Sequence, residues 1–133
     1  NNGMPKFVIE KINKAVNKIN KHKSTLNIAS LGLTFKADVN DLRESPALEI
    51  AKFIESMGFA HQLIVEPHIN VIPEDFDHSM SELIDLESAL AMADIIVLLV
   101  DHKQFLNIDV LSVPNKIIID TRGILNKREC LQK

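Results

Sequence analysis

A run of six consecutive apolar residues, Ile95 to Val100 (IIVLLV), constrains the fold of this chain more than any other feature. The run is rich in β-branched side chains and shows no alternation of apolar and polar residues, a pattern typical of a strand buried on both faces. Lys116 to Asp120 (KIIID) repeats the pattern. Strands of this kind occur in parallel sheets that helices cover on both sides. We therefore expect an α/β chain.

Helical patterns separate the expected strands. The chain begins with an amphipathic helix from Met4 to about Lys23, in which apolar residues recur at helical spacing. Ser45-Pro46 is a favoured helix start. The buried stripe of that second helix is expected to be Ala47, Ile50, Ala51 and Ile54, and Gly58 is its expected C-cap. Asp85 can cap a third helix from Leu86 to Ala93.

Two further strands complete the pattern, one in Thr25 to Leu31 and one within Phe59 to Val65. Asn70 to Met80 is expected to be irregular, and a short turn or helix is expected near His102 to Phe105. Strands joined by helical crossovers imply a doubly wound, mostly parallel sheet with a layer of helices on each face.

Length and composition limit the classes of function. With 133 residues and 46% hydrophobic residues, the chain is long enough for one domain with a real core. A net charge of −3 gives no general attraction to nucleic acid or to acidic membranes. The apolar runs are far shorter than the roughly 20 residues that span a bilayer, and no signal peptide is recognisable. Cys130 is the only cysteine, which fits a reducing cytoplasm.

The loops that follow the strands are the expected ligand edge, because open α/β sheets bind ligands beyond the carboxyl ends of their strands. Three such loops are expected, at 32–45, 101–105 and 121–123. Lys36 and Arg122 lie on two of them and could neutralise a diphosphate. The first turn has a single glycine, Gly32, and so lacks the G-x-G-x-x-G pattern of a dinucleotide site. Side chains must therefore meet the ligand.

Each of these residues also has a purely structural interpretation. Lys36 and Arg43 could pair with the acidic residues of their own loop, Arg122 could be an exposed turn residue, and His102 could be a structural or surface histidine. The lysines of the first helix could form a solvated face. No metal-ligand spacing is found, and His61, His68 and His78 are expected at the surface.

The segment from Gly32 to Ala47 (GLTFKADVNDLRESPA) resembles the signature that opens the C-terminal domain of UDP-glucose/GDP-mannose dehydrogenases, approximately G-x-x-F-K-x-x-x-x-D-x-R-x-S-P-A. Three shorter segments resemble the UDP-N-acetylmannosamine dehydrogenase branch of that family. They are Val65 to Ile69, Leu99 to Phe105 and Asp120 to Gly123. The resemblance covers essentially the whole chain, and it implies a three-layer Rossmann-like domain that binds the UDP part of a nucleotide sugar.

The resemblance also implies an organisation and a reaction. Residues 1–23 would be the end of a central dimerisation helix, and residues 24–133 the UDP-sugar-binding C-terminal domain. The full-length enzyme would oxidise the sugar C6 hydroxyl to a carboxylate in two NAD-dependent steps. An N-terminal domain would bind most of the NAD and carry the catalytic cysteine, so this chain alone is expected to be inactive. The full-length protein is expected to form a cytoplasmic homodimer.

Residue roles are carried over only where the motif matches. Phe35 and Lys36 would contact the UDP portion, with Lys36 near the diphosphate. Arg122 would reach the nucleotide sugar, from the same or the neighbouring subunit, and Arg43 would face the NAD side of the interdomain cleft. No catalytic residue and no metal ligand is expected in this chain, and His102 matches the branch without a role to transfer.

Three alternatives remain open at this stage. The same domain could serve UDP-glucose, UDP-N-acetylglucosamine or GDP-mannose. The chain could also be a stand-alone nucleotide-binding interaction module with no enzyme partner. A nucleic-acid-binding role for the lysine-rich helix is the third, and the acidic net charge argues against it.

Overall fold

The computed structural model describes residues 3–109 and 113–125, and within them helices and strands alternate along the chain. Three α-helices are present in these ranges: α1 (Gly3–Ile19), α2 (Pro46–Glu55) and α3 (Leu86–Met92). The strands are β1 (Asn27–Leu31), β2 (His61–Val65), β3 (Ser81–Leu83), β4 (Ile95–Leu98) and β5 (Ile117–Asp120). Short 3₁₀ turns are formed by Lys23–Thr25 and Lys103–Phe105.

The strands form one sheet in the order β3-β2-β1-β4-β5, and every pairing between them is parallel. The chain winds outward from β1 to β2 and β3, then returns across β1 to form β4 and β5. The connection that follows β1 and the connection that follows β4 therefore run on opposite faces of the sheet. This change of direction opens a crevice at the carboxyl ends of these two strands.

Helices cover both faces of the sheet, as the apolar strands predict. On one face, α1 and α2 pack on side chains such as Ile28, Ile95 and Val97. On the other face, α3 and the Lys103–Phe105 turn pack on Ala29, Ile96 and their neighbours. Alternate residues of β1 and β4 thus enter different cores, because successive side chains of a strand point to opposite faces. The expected three-layer, doubly wound, parallel architecture is confirmed.

Several element limits differ from the sequence expectations. The first helix ends at Ile19 rather than near Lys23, because Asn20 adopts a left-handed backbone conformation with φ +61°. Thr25 belongs to a 3₁₀ turn, so the first strand begins only at Asn27. Strand β4 ends at Leu98, two residues before the end of the apolar run.

Two further expectations need correction. Gly58 is not the C-cap of α2: the helix is capped at Ser56, and its last N–H groups bond three residues back before Gly58 turns the chain at φ +94°. Strand β3 was not expected at all. It has three residues and a single buried side chain, Ser81, so it carries almost no apolar pattern. The buried stripe of α2 and the caps Ser45 and Asp85 are confirmed.

Candidate functional site

A cleft of about 250 Å³ lies beyond the carboxyl ends of β1, β4 and β5. Its walls come from the loop after β1, the first residues of α2, the end of the apolar run at Val100 and the turn after β5. Two of the residues predicted to bind a ligand, Phe35 and Arg122, line it. The cleft therefore occupies the crevice that the strand order creates.

The close approach of two strand ends defines the floor of the cleft. Gly32 follows β1 with φ +100°, and a Cβ atom placed on it would lie 2.6 Å from the Cβ of Val100. Both the backbone angle and the lack of space require glycine here. The Val100 N–H donates to the Leu31 carbonyl at 3.2 Å, which holds the two strand ends together.

The N-terminus of α2 borders the same cleft through Pro46 and Ala47. The Ser45 hydroxyl is buried; it accepts the Leu48 N–H at 3.2 Å and donates to the Leu33 carbonyl at 2.7 Å. One side chain thus caps the helix and fixes the loop that leads into it. The positive end of the helix dipole faces the cleft, which favours an anionic ligand.

A buried carboxylate, Glu66, lies just after β2 and holds the start of the β1–α2 loop. Its Oε1 accepts the N–H groups of Leu33 at 2.8 Å and Thr34 at 3.3 Å, and its Oε2 accepts the His68 N–H at 2.9 Å. The ring Nε2 of His102 lies 2.9 Å from Oε1. Burial by itself raises the pKa of Glu66, but the hydrogen bonds from His102, Leu33 and His68 outweigh burial and lower the pKa below its ordinary value.

The turn after β5 is organised by the carboxylate of Asp120. Its Oδ1 accepts the N–H groups of Arg122 at 3.0 Å and Gly123 at 2.7 Å, and its Oδ2 accepts the Leu125 N–H at 2.9 Å. These three bonds fix the backbone from which the Arg122 side chain projects to the cleft. Among the described residues, Asp101 lies near that side chain, and its Oδ1 is 4.0 Å from the Arg122 Nε, which is too far for a hydrogen bond. Arg122 therefore retains most of its hydrogen-bonding capacity for a ligand.

The predicted basic residues of the β1–α2 loop have different surroundings. Lys36 is exposed, and its ammonium group makes no ion pair with any residue that the structure describes. It follows Phe35, whose side chain is about half exposed and lines the cleft. Lys36 itself does not line the cleft, so its reach into the site depends on its long side chain.

Arg43 pairs within its own loop, which is the structural alternative that the sequence left open. Its Nε and Nη2 each lie 3.0 Å from the Asp41 carboxylate, and its side chain is 88% exposed. The hydrogen bond from Arg43 lowers the pKa of Asp41 to about 2. The same contact raises the pKa of Arg43. Arg43 does not line the cleft.

His102 is a structural histidine, which is one of the two interpretations that the sequence left open. It is completely buried between Glu66, Thr34 and the backbone of Asp38. His68 departs from expectation, since it is only partly exposed and its ring lies 4.7 Å from the ring of His102. Sequence reasoning missed the roles of Glu66, which directly follows β2, and of Asp120, which is the last residue of β5. A carboxylate at the carboxyl end of an apolar strand is the signal in the sequence that could have identified both residues.

Asp38, His68 and His102 lie close enough together to suggest a metal site. The Nδ1 of His102, however, accepts the Asp38 N–H at 2.8 Å, and its Nε2 contacts Glu66. Neither ring nitrogen of His102 has a lone pair free for a metal ion, so the group does not form a ligand set.

Cys130 lies outside the described residues.

The basic face of α1 is a solvated surface in the structure. Lys6, Lys11, Lys14 and Lys18 are exposed, and the Lys11 ammonium lies 5.0 Å from the centre of the Phe7 ring. None of the helices in the described ranges is both long and apolar enough to cross a membrane.

The comparisons with known proteins agree on one family. Residues 29–127 match the model of the UDP-glucose/GDP-mannose dehydrogenase family, UDP binding domain. The chain is 40% identical over 124 residues to an NDP-N-acetyl-D-galactosaminuronic acid dehydrogenase of Ralstonia nicotianae. It is 38% identical over 128 residues to a UDP-N-acetyl-D-mannosamine dehydrogenase of Salmonella typhimurium. Both matches cover 93% of this chain but only 28% and 30% of the relatives.

A solved structure shows the same likeness in three dimensions. The UDP-D-ManNAc dehydrogenase from Pyrococcus horikoshii superposes with a TM-score of 0.77 at 28% identity. The match covers 96% of this chain and 29% of that one. The likeness therefore extends over nearly the whole chain and over less than a third of each larger protein.

Proposed function

This chain is a UDP-binding domain of the UDP-glucose/GDP-mannose dehydrogenase family, and we propose that its cleft beyond β1, β4 and β5 binds the UDP part of a nucleotide sugar. The observation that carries the proposal is the convergence of Phe35, Arg122 and the N-terminus of α2 on one cleft. An aromatic ring, a guanidinium group and a helix N-terminus together suit a base and a diphosphate.

Each group has a role that its chemistry supports. Arg122 would bind the diphosphate or the adjoining sugar through two parallel N–H donors, and its backbone is already fixed by Asp120. Lys36 would add a point charge from the exposed loop, since no described acid neutralises it. The half-exposed ring of Phe35 would contact the nucleoside.

Arg43 is proposed to face the NAD side of the interdomain cleft in the full-length enzyme. Its side chain is 88% exposed and lies outside the cleft of this domain. The pairing with Asp41 keeps the guanidinium oriented while leaving most of its surface open. A second domain carrying NAD could then approach it without displacing any buried contact.

The full-length enzyme is proposed to convert UDP-N-acetylmannosamine to UDP-N-acetylmannosaminuronate. The C6 alcohol would lose two hydrides to two NAD in succession, and one water would supply the second carboxylate oxygen. An N-terminal domain would provide the NAD site and the catalytic cysteine. We propose that this enzyme is cytoplasmic, because the substrates of such a reaction are intracellular nucleotides, and that it forms a homodimer, as the family resemblance implies.

The second substrate candidate is the N-acetylgalactosamine analogue. A relative named for N-acetylgalactosaminuronic acid is 40% identical, against 38% for one named for N-acetylmannosamine. Both names share an N-acetylated sugar, which favours an N-acetylhexosamine over UDP-glucose. A panel of UDP-sugars assayed with the full-length enzyme by NADH absorbance separates them, and turnover of UDP-glucose alone would contradict both candidates.

Calorimetric titration with UDP tests the proposed site. Saturable binding is expected for this chain, and Lys36→Ala and Arg122→Ala should each weaken it about tenfold, as expected for losing one charge-assisted contact. Lys21→Ala is the matched control, because it removes an exposed lysine that follows α1 and lies outside the cleft. Equal affinity for all four proteins would place the nucleotide elsewhere, and absence of binding to the full-length enzyme would remove the proposal.

A further inference from the structure

We infer that Glu66 and His102 are positioning residues of the nucleotide site: buried behind the cleft, they hold the backbone of residues 33–38 in the shape that presents Phe35 and Lys36. The inference rests on the proposed UDP site and extends it to two residues that do not line the cleft. The Glu66 side chain is fully buried, and His102 is likewise 0% exposed. Both therefore act on a ligand only through the loop.

Glu66 and His102 together form a clamp on this loop. The first half of the clamp is the Glu66 carboxylate at the start of the loop. It accepts the backbone N–H groups of Leu33 and Thr34, directly before Phe35. These donors are buried, so a loop that moved away would leave them without acceptors. The carboxylate comes from the chain after β2, which makes the loop conformation dependent on a neighbouring strand.

The second half is the imidazole of His102, which holds the far end of the same segment. Its Nδ1 accepts the Asp38 N–H at 2.8 Å, so this nitrogen carries no proton. The proton of the neutral ring must then be on Nε2, which donates to Glu66 Oε1 at 2.9 Å. The geometry thus specifies one tautomer.

A third contact reaches Lys36 itself. The Thr34 hydroxyl lies 3.1 Å from the His102 Nε2 and donates to the Lys36 carbonyl at 2.9 Å. Asp38 adopts φ +59°, a left-handed conformation that is strained for a residue with a side chain. The bonds to its N–H and from the Lys103 N–H to its Oδ1 at 3.0 Å compensate for that strain.

The consequence for binding is preorganisation. Phe35 and Lys36 lie on an exposed stretch of loop that would otherwise have to become ordered when a ligand binds. Ordering a flexible segment during binding lowers affinity, and a clamp that orders it beforehand removes that loss. A direct acid or base role does not fit His102, because it is completely buried and absent from the cleft wall.

Substitutions at His102 separate its two contacts. The amide oxygen of His102→Asn can replace Nδ1 as acceptor for Asp38, whereas the amide N–H of His102→Gln can replace Nε2 as donor to Glu66. Each is expected to restore part of the UDP affinity that His102→Ala loses. The loss for His102→Ala is expected to be about tenfold, as for removing a partner from buried hydrogen bonds. Ile12→Val is the control, since it trims a buried core side chain of α1 and leaves these bonds intact.

Three measurements decide the inference: UDP titration, amide hydrogen exchange at Leu33, Thr34 and Asp38, and ¹⁵N NMR of the His102 ring. We expect an Nε2–H tautomer, and faster exchange at these amides in His102→Ala and Glu66→Gln but not in Ile12→Val. An Nδ1–H tautomer, or exchange and affinity unchanged in His102→Ala, would overturn the clamp. If the unmodified full-length enzyme does not bind UDP, the proposed function fails. The hydrogen-exchange and tautomer measurements do not involve UDP, so they test the clamp independently of that result.

Discussion

Gly32 is the residue at which backbone geometry and packing coincide. It combines φ +100° with a Cβ position only 2.6 Å from a Val100 side-chain atom. Gly123, in the turn after β5, has φ +69° but no atom within 4 Å of its Cβ position. The two glycines therefore separate the effect of a left-handed backbone from the effect of close contact between strand ends.

Gly32→Ala is expected to destabilise the fold by about 3 kcal/mol or more, because strain at positive φ adds to overpacking against Val100. Gly123→Ala should cost only about 1 kcal/mol, the backbone contribution alone. Urea denaturation of both variants measures the difference. Similar losses at the two positions would mean that the contact with Val100 relaxes without cost.

Glu66 links protonation to stability at the same end of the sheet. Hydrogen bonds lower its folded-state pKa below the ordinary value of 4.5 despite burial. Its contribution to the free energy of unfolding is therefore complete above pH 4.5 and disappears as the pH falls through the folded-state pKa.

The unfolding free energies of the unmodified chain and Glu66→Gln should thus differ most near neutral pH and converge in acid. The measurement is a set of denaturation curves from pH 7 down to pH 3. A difference that is constant over this range would show that ionisation of Glu66 contributes nothing to stability.

At the scale of elements, α2 connects the core to the cleft. Its buried stripe packs on the sheet, while its first turn borders the cleft through Pro46 and Ala47. Ser45 unites these two tasks, since its hydroxyl caps the helix and also bonds the β1–α2 loop. Asp85 caps α3 in the same way, but it is exposed and bonds only its own helix.

Ser45→Ala is expected to cost about 2 kcal/mol, at the upper end for a lost N-cap, because the loop contact is lost as well. It should also weaken UDP binding, since the loop carries Phe35 and Lys36. Asp85→Ala should lower stability less and leave UDP affinity unchanged. Thermal denaturation and UDP titration of both variants test this. If Ser45→Ala and Asp85→Ala change the UDP affinity equally, the capping of α2 has no specific role in UDP binding.

At the scale of the whole molecule, α1 is built into the same core as α2. Val8, Ile12 and Ala15 are buried against side chains of the sheet and of α2. The boundary near residue 23 that the family resemblance suggested stays a prediction. The packing nevertheless makes α1 a large contributor to the stability of the described structure.

Ile12→Ala should destabilise the chain by about 2–5 kcal/mol, as is usual for removing a fully buried isoleucine side chain. Ile9→Ala, on the partly buried flank of the same helix, should cost clearly less. Differential scanning calorimetry provides the comparison. Equal, small losses at both positions would mean that α1 does not form part of the cooperative unit.

The architecture follows from patterns that can be read in the amino-acid sequence. Continuous apolar strands such as Ile95–Leu98 are buried from water only when helices cover both faces of the sheet. The helix start at Ser45-Pro46 is a local signal, because the N-cap hydrogen bond forms within one turn. The same local patterns predicted the strand-end loops and placed Arg122 at the edge where it is found, whereas Phe35, which also lines the cleft, was expected from the family motif. A long motif match named the family, which the family model confirms.

The partner of each polar residue, in contrast, depends on how the folded chain brings distant segments together. Glu66 and His102 are separated by 36 residues, and their contact exists because β2 and β4 flank β1 in the sheet. Lys36 and Arg43 share one loop and one family signature, yet Arg43 pairs with Asp41 while Lys36 stays without an ion pair among the described residues. Such pairings depend on distances of a few ångströms between segments remote in sequence, and a linear pattern does not contain those distances.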